Sequence, residues 1–162
     1  MLKILAISDT HGDISNLRRI IKNGEKYNYL IHLGDVANDV DEIEKIVPFP
    51  CAFVRGNCDF LSFLPDTRLV DYGGVKFFLT HGHRYFVKES LYSLAKAAKD
   101  NGARVVVYGH THCPEIEHVM GVDIINPGSL SRPRQFSRKP SYAVITVCDD
   151  GSVSAEITEL QD

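Results

Sequence analysis

The residues with chemical potential in this sequence fall in five short clusters: Asp9-Thr10-His11, Gly34-Asp35, Gly56-Asn57, His81-Gly82-His83 and Gly109-His110-Thr111-His112. Five of the seven histidines lie inside them. Carboxylate, imidazole and amide oxygen together make the hard-to-borderline donor set that suits Mn, Fe, Zn or Co. The D-x-H and H-x-H spacings place alternate side chains on one face of an extended chain, so both can reach one centre at a strand tip. Singly, each cluster has an ordinary explanation. Gly34-Asp35 and Gly56-Asn57 read as turns, Asp9-x-His11 as a helix-entry loop with a capping carboxylate, and an isolated H-x-H as incidental. Their joint occurrence, each behind an apolar run, favours one shared site.

Those apolar runs are the elements that must carry the clusters. Leu2 to Ile7 is nearly continuous and predicts a strand buried on both faces. Asp13 is placed to cap a helix with Ile14, Leu17, Ile20 and Ile21 on one side, ending near Asn23-Gly24. Tyr29 to Leu33 is a second strand, followed by an amphipathic stretch with Val40, Ile43, Ile46 and Val47 that Pro48 stops. Cys51 to Val54 is a third. This alternation argues for parallel strands with right-handed crossovers. Arg68–Asp71 and Val75–Thr80 then read as a hairpin around Tyr72-Gly73-Gly74. A helix with Leu91, Leu94, Ala95 and Ala98 leads into the strand Arg104 to Tyr108. Glu115–Met120, Val122–Ile125, Ser141–Val147 and Val153–Leu160 read as antiparallel, and Pro127 to Pro140 as an exposed loop. In an open α/β sheet, ligands bind beyond the carboxyl ends of the strands, which is where all five clusters sit.

The 162 residues fit one domain, 1–162, large enough for a real core. The net charge of −3 argues against a protein that coats long nucleic acid. Four cysteines without a C-x-x-C pair suit a reducing, cytoplasmic setting. No run approaches membrane-spanning length, so no membrane association is expected. Nothing in the sequence sets an oligomeric state.

The ordered set D-x-H, G-D, G-N-x-D, H-G-H and G-H-T-H, with N-P-G-S at 126–129, resembles the calcineurin-like metallophosphoesterase superfamily, in its small prokaryotic phosphodiesterase branch. The resemblance spans Asp9 to Ser129. It implies an α/β fold, a four-layer α/β/β/α sandwich of two mixed sheets flanked by helices, with a dinuclear metal site at the carboxyl ends of strands. It gives one metal to Asp9, His11 and His112, the other to Asn57, His81 and His110, and makes Asp35 the bridge. Two divalent ions are implied, Mn first, with Ni, Fe, Co or Zn chemically compatible. The implied reaction is hydrolysis of a small phosphodiester by a hydroxide shared between the metals, so Asp35, Asn57, His81 and His110 act catalytically through them.

Several neighbours read less sharply. His83 is a site-lining group or a hydrogen-bonded loop histidine. His32 and His118 read as ordinary strand histidines. Many relatives carry histidine where Cys58 stands; a thiol there is a poor proton source, and a small buried filler is the expected role. Asp59 then loses the histidine it would orient and is left to the local turn. Arg132, Arg134, Arg138 and Lys139 read as a solvated loop, with an arginine contact to substrate phosphate as the sharper alternative. Arg55 has the same ambiguity. Asn38 lines the site or caps a helix. Other functions available to such a chain are a protein-interaction scaffold, as in the related retromer subunit, and a nuclease or nucleotide phosphatase. All seven donor positions hold the expected residue types, which favours the enzyme.

Overall fold

The computed structural model describes residues 1–162. The elements run β1 (Leu2–Ile7), α1 (Ser15–Lys22), β2 (Tyr29–His32), α2 (Val40–Ile46), β3 (Cys51–Phe53), β4 (Thr67–Tyr72), β5 (Val75–Thr80), α3 (Tyr92–Asp100), β6 (Val105–Val107), β7 (Pro114–Val119), β8 (Val122–Pro127), β9 (Ser141–Val147) and β10 (Val153–Glu159). Two five-stranded sheets result, ordered β10-β9-β1-β2-β3 and β4-β5-β6-β8-β7. Both are mixed. In the first, β1, β2 and β3 are parallel while β9 runs antiparallel to β1 and β10. In the second, β5, β6 and β8 are parallel, with β4 and β7 as antiparallel edges.

The period of two along each strand builds the layers. Ile4 and Ala6 of β1 meet Phe77, Leu79, Val105 and Val107 from the other sheet, forming the core between the sheets. Leu5 and Ile7, one residue out of phase, face Leu17 and Ile20 of α1 and Ile43 of α2. Phe78, Val106 and Ile124 do the same on the far side against Leu94, Ala95 and Ala98 of α3. The order is helix, sheet, sheet, helix, as expected. Each fully buried Ile or Leu in these layers contributes about 1.5–3 kcal/mol. No helix is long and apolar enough to cross a membrane.

Three expectations are corrected. Asp13 does not occupy the cap position, which falls to Ile14; Asp13 Oδ1 instead accepts the Ser15 N–H at 3.0 Å and hydroxyl at 2.6 Å. The C-terminal strands are not all antiparallel, because β8 lies beside β6 in parallel register; its run of buried residues fits the interior of a sheet. The stretch from Pro127 is not exposed throughout. Pro127 to Leu130 are buried, and only from Ser131 onward does the chain approach the surface. The reason is polar: Leu130 N–H donates to Ser8 O and the Ser129 hydroxyl to Asp9 O at 2.8 Å, tying this loop to the end of β1.

Candidate metal centre

The clusters sit at adjacent carboxyl ends: Asp9 and His11 beyond β1, Asp35 beyond β2, Asn57 beyond β3, His81 beyond β5, and His110 and His112 beyond β6. Backbone bonds lace these tips together. Asp9 N–H donates to Gly34 O and His11 N–H to Asp35 O within the first sheet, and Gly109 N–H donates to His81 O within the second. Asp9, His11, Asp35, His110 and His112 all have positive φ, between 48° and 71°. Left-handed backbone at so many non-glycine positions is costly and marks sites where surrounding structure dictates the geometry. Two glycines permit the convergence: a Cβ on Gly56 would lie 2.1 Å from Asp35 Oδ1, and one on Gly109 2.0 Å from Ser8 Oγ.

All seven expected donors are brought together. Asp9 Oδ1 lies 3.1 Å from His112 Nε2, 3.7 Å from His11 Nε2 and 3.8 Å from His81 Nε2. Asp35 Oδ2 lies 3.6 Å from His11 Nε2 and 3.4 Å from His81 Nε2, reaching both halves of the cluster. Asn57 Oδ1 sits 3.0 Å from both His81 Nε2 and His110 Nδ1. One donor atom each from Asp9, His11, Asp35 and His112 falls within 4.8 Å of the others.

The donor orientations fit metal ions. His81 Nδ1–H donates to Leu33 O at 2.6 Å and His112 Nδ1–H to Arg132 O at 2.7 Å. Each bond turns Nε2 toward the carboxylates, the orientation in which an imidazole offers its lone pair to a metal ion. Asp9 Oδ2 is held by the Ser8 hydroxyl at 2.6 Å and His110 N–H at 3.1 Å. Its buried Oδ1 has no hydrogen-bond partner. Lone pairs facing one another around an orphaned carboxylate oxygen need positive charge between them.

The titration directions express the same need. Burial would raise the Asp9 carboxyl, yet the imidazoles of His11 and His112 hold it far below the usual range. Burial likewise opposes ionisation of Asp35, and His81 overcomes it. Burial would lower His81, but Asp35 and Asp9 raise it. His110 is pushed down to about 4 by burial and by His81, and His83 is lowered by burial and the same neighbour.

The supporting residues hold surprises. Asp59 does more than serve a turn. Its Oδ2 accepts N–H groups from Asp35 (2.8 Å), Gly56 (2.8 Å) and Val36 (3.3 Å), and its Oδ1 accepts Ala37 N–H at 3.0 Å. One buried carboxylate thus clamps the Asp35 loop to the Asn57 loop. Cys58 is exposed, which overturns the buried-filler expectation; its N–H donates to Asp35 Oδ1 at 2.8 Å, and the thiol points out of the core because Asp59 takes the inward place. Burial and the Asp35 carboxylate raise its thiol.

His32, read as an ordinary strand residue, sits buried beneath the site. Its Nδ1 accepts Gly34 N–H at 3.2 Å, so Nε2–H donates to Thr10 Oγ1 at 2.9 Å. Burial pushes it down to about 3. His118 pairs with Asp123 on the surface, as a strand histidine would. His83 lies with its ring 5.5 Å from that of His81 and its Nδ1 unpartnered.

Arg55 is held by Asp66, which also takes Arg84. Arg132 and Arg134 have exposed side chains; their backbones flank His112, through Arg132 O and a bond from Arg134 N–H to His112 O. Asn38 does not cap α2, where Asp39 takes the cap position, and instead lines a cavity with Cys58. Sequence reading missed the hydroxyls of Ser8, Ser129 and Ser131. The Ser131 hydroxyl bonds Asp9 O at 3.0 Å and Thr10 O at 2.8 Å. Asn126 donates to Gly109 O at 3.1 Å. The N-P-G-S turn is a sequence signal for Asn126 and Ser129; Ser8 and Ser131 have none.

Two mixed sheets between helices, with an oxygen–imidazole cluster spread over the strand tips of both, define a class of phosphoester hydrolase. The chain belongs to the calcineurin-like phosphoesterase superfamily, whose domain model matches residues 2–150. It is 37% identical over 154 residues to the "Probable metallophosphoesterase YsnB" of Bacillus subtilis, covering 93% of this chain and 88% of that one. It is 33% identical over 160 residues to "Phosphodiesterase YfcE" of Escherichia coli, covering 83% and 82%. The crystal structure of Vps29 complexed with zinc from Entamoeba histolytica superposes with a TM-score of 0.77 over 98% of this chain and 99% of that one, at 22% identity, a likeness of fold alone. Membership makes the chain a hydrolase of phosphoric ester bonds, of a kind that works with divalent metal ions, and the donor cluster is where such ions fit.

Proposed function

We propose that this chain, as one functional domain over 1–162, is a phosphodiesterase that uses two divalent cations to hydrolyse a small phosphodiester. Asp9, His11 and His112 would hold one ion, Asn57, His81 and His110 the other, and Asp35 would serve both. The observation that carries this reading is the orphaned Asp9 Oδ1 facing three imidazole nitrogens, with Asp35 Oδ2 reaching into both halves. When bound, two such ions make a nucleophile available from water near neutral pH and offset charge on the phosphate oxygens. Manganese is the proposed ion, on the resemblance and the oxygen–nitrogen donor set, with Ni, Fe, Co and Zn compatible. Unpaired cysteines fit a reducing cytoplasm.

The chain's own residues set the geometry and the preference. Asp59 and Ser8 fix the two carboxylates, and the carbonyls of Leu33 and Arg132 orient two imidazoles. The exposed Cys58 supplies no strong acid to a departing alkoxide, because a free thiol titrates near about 8.5. Diesters with acidic leaving groups should therefore be preferred over alkyl monoesters. The direct test is bis(p-nitrophenyl) phosphate hydrolysis with manganese. Expected are turnover abolished by a chelator and restored by Mn²⁺, and a loss of roughly a hundredfold or more in Asp35→Asn. Turnover indifferent to the chelator would overturn the reading. A protein-interaction scaffold of the same fold is the second reading; full stability without metal and without turnover would favour it.

A further inference from the structure

Beside the candidate metal centre, Phe60, Leu61 and Phe63 are 84%, 95% and 105% exposed. Large apolar side chains clustered this densely on a surface usually mark a place where something binds. Here they line a cavity of about 430 Å³ together with Ala37, Asn38 and Val40. That volume falls in the ordinary range for small-molecule sites of about 300–1,000 Å³, and a mostly apolar lining with a few polar groups is their usual composition.

The cavity adjoins the centre through shared wall residues. Cys58 forms part of its wall, and Cys58 N–H donates to Asp35 Oδ1 at 2.8 Å. Asp59 and Phe60 line it and also line the adjoining cavity of about 190 Å³ that contains Asn57 and His83. A phosphate seated at Asp35 and Asn57 would therefore direct one of its substituents toward the phenylalanines.

The chemistry of the wall selects that substituent. No lysine or arginine lines the larger cavity, so a second phosphate would find no partner there. The Asp59 carboxylate is occupied by backbone N–H groups, which leaves Asp41, an exposed and salt-screened carboxylate, as the only free charge. Flat aromatic rims favour a ring, by stacking and by edge contacts. Asn38 and Ser62 add hydrogen-bonding groups at the wall. We propose that this cavity is a subsite for a neutral aromatic ring carried by the phosphoester substrate. The proposal rests on the phosphodiesterase reading and narrows its substrate to aryl-bearing or nucleobase-bearing diesters without a further phosphate on that arm.

The test compares phenylphosphonate with methylphosphonate, two probes that share a head group and have no leaving group. Their dissociation constants are measured by calorimetry on the manganese-loaded full chain, in wild type and in Phe60→Ser/Phe63→Ser. Both rings are exposed, so the substitutions should leave folding intact. Wild type should bind phenylphosphonate at least about tenfold more tightly, and the double variant should reduce that ratio to below about threefold. A wild-type ratio near one, or a ratio unchanged in the variant, overturns the subsite. An unchanged ratio with a lower oligomeric state identifies the patch as a contact between copies and equally overturns it. Phosphocholine binding more tightly than phenylphosphonate overturns the neutrality of the ligand. If bis(p-nitrophenyl) phosphate is hydrolysed while the ratio is flat, the subsite alone fails. If neither hydrolysis nor phosphonate binding occurs, the phosphodiesterase reading fails and takes the subsite with it.

Discussion

Asp59 offers the sharpest perturbation of the framework that holds the candidate ligands. It touches none of them through its own side chain to a metal-facing atom, yet four backbone N–H groups converge on its carboxylate. Asp59→Asn keeps one oxygen, which can stay with the N–H groups of Asp35 and Gly56, both at 2.8 Å in the wild type. Its amide nitrogen then faces Ala37 N–H, donor against donor. The loss is one charge-assisted bond, about 1.5–3 kcal/mol. Asp59→Ala strands the buried N–H groups of Asp35 and Gly56 as well, at about 1–3 kcal/mol each, so about 3.5–9 kcal/mol in all with the Ala37 bond. Against a typical total stability of about 5–15 kcal/mol, the alanine variant risks unfolding, and the asparagine variant is the informative one. Urea denaturation should show the asparagine loss. Manganese calorimetry on the same protein should show affinity down by about 10–100-fold, the usual effect of removing a group that positions metal ligands. If Asp59→Asn matches the wild type in both stability and manganese affinity, the clamp is not what registers the Asp35 and Asn57 loops.

Three further outcomes follow from particular contacts. Gly56→Ala places a Cβ 2.1 Å from Asp35 Oδ1 and 2.3 Å from Asp35 N, so it should cost about 1–3 kcal/mol and weaken manganese binding; unaltered denaturation and calorimetry would contradict the close approach. His32 has a folded pKa of about 3 because it is buried, against about 6.5 in the unfolded chain. Between those values the unfolded chain binds the extra proton, so the stability His32 contributes is complete above about pH 6.5 and falls as pH drops. Wild type should lose up to about 1.4 kcal/mol more per pH unit in that window than His32→Gln, and identical slopes would refute it. Cys58→His should speed hydrolysis of diesters with poor alkyl leaving groups while changing bis(p-nitrophenyl) phosphate turnover little; equal effects on both would show that proton supply at residue 58 does not set the preference.

Much of this architecture is legible in the sequence, for a local reason. The nearly unbroken apolar run of Leu2 to Ile7 already marks a strand buried on both faces, and its period of two sets Ile4 and Ala6 between the sheets and Leu5 and Ile7 under α1 and α2. The Asp, Asn, His and Gly clusters stand out because each directly follows such a run. What escapes is decided by partners distant in the chain. The backbone N–H groups that Asp59 gathers include those of Asp35 to Ala37, more than twenty positions away. Ser129 and Ser131 reach the Asp9 carbonyl across more than a hundred residues, so a loop that reads as exposed is partly buried. The exposure of Cys58 depends on which of Cys58 and Asp59 turns inward, and four waiting N–H groups decide that for the carboxylate. The parallel placement of β8 beside β6 is likewise a matter of sheet assembly rather than of either strand's own residues.

The central claim, that side chains from five strand ends hold a pair of divalent cations, is tested most directly by anomalous diffraction from crystals grown with manganese. The account predicts two manganese peaks about 3.5–4 Å apart, both bonded to Asp35, one also to Asp9, His11 and His112, the other to Asn57, His81 and His110. Manganese bound elsewhere, or a fully loaded crystal in which these seven side chains bind none, would contradict it.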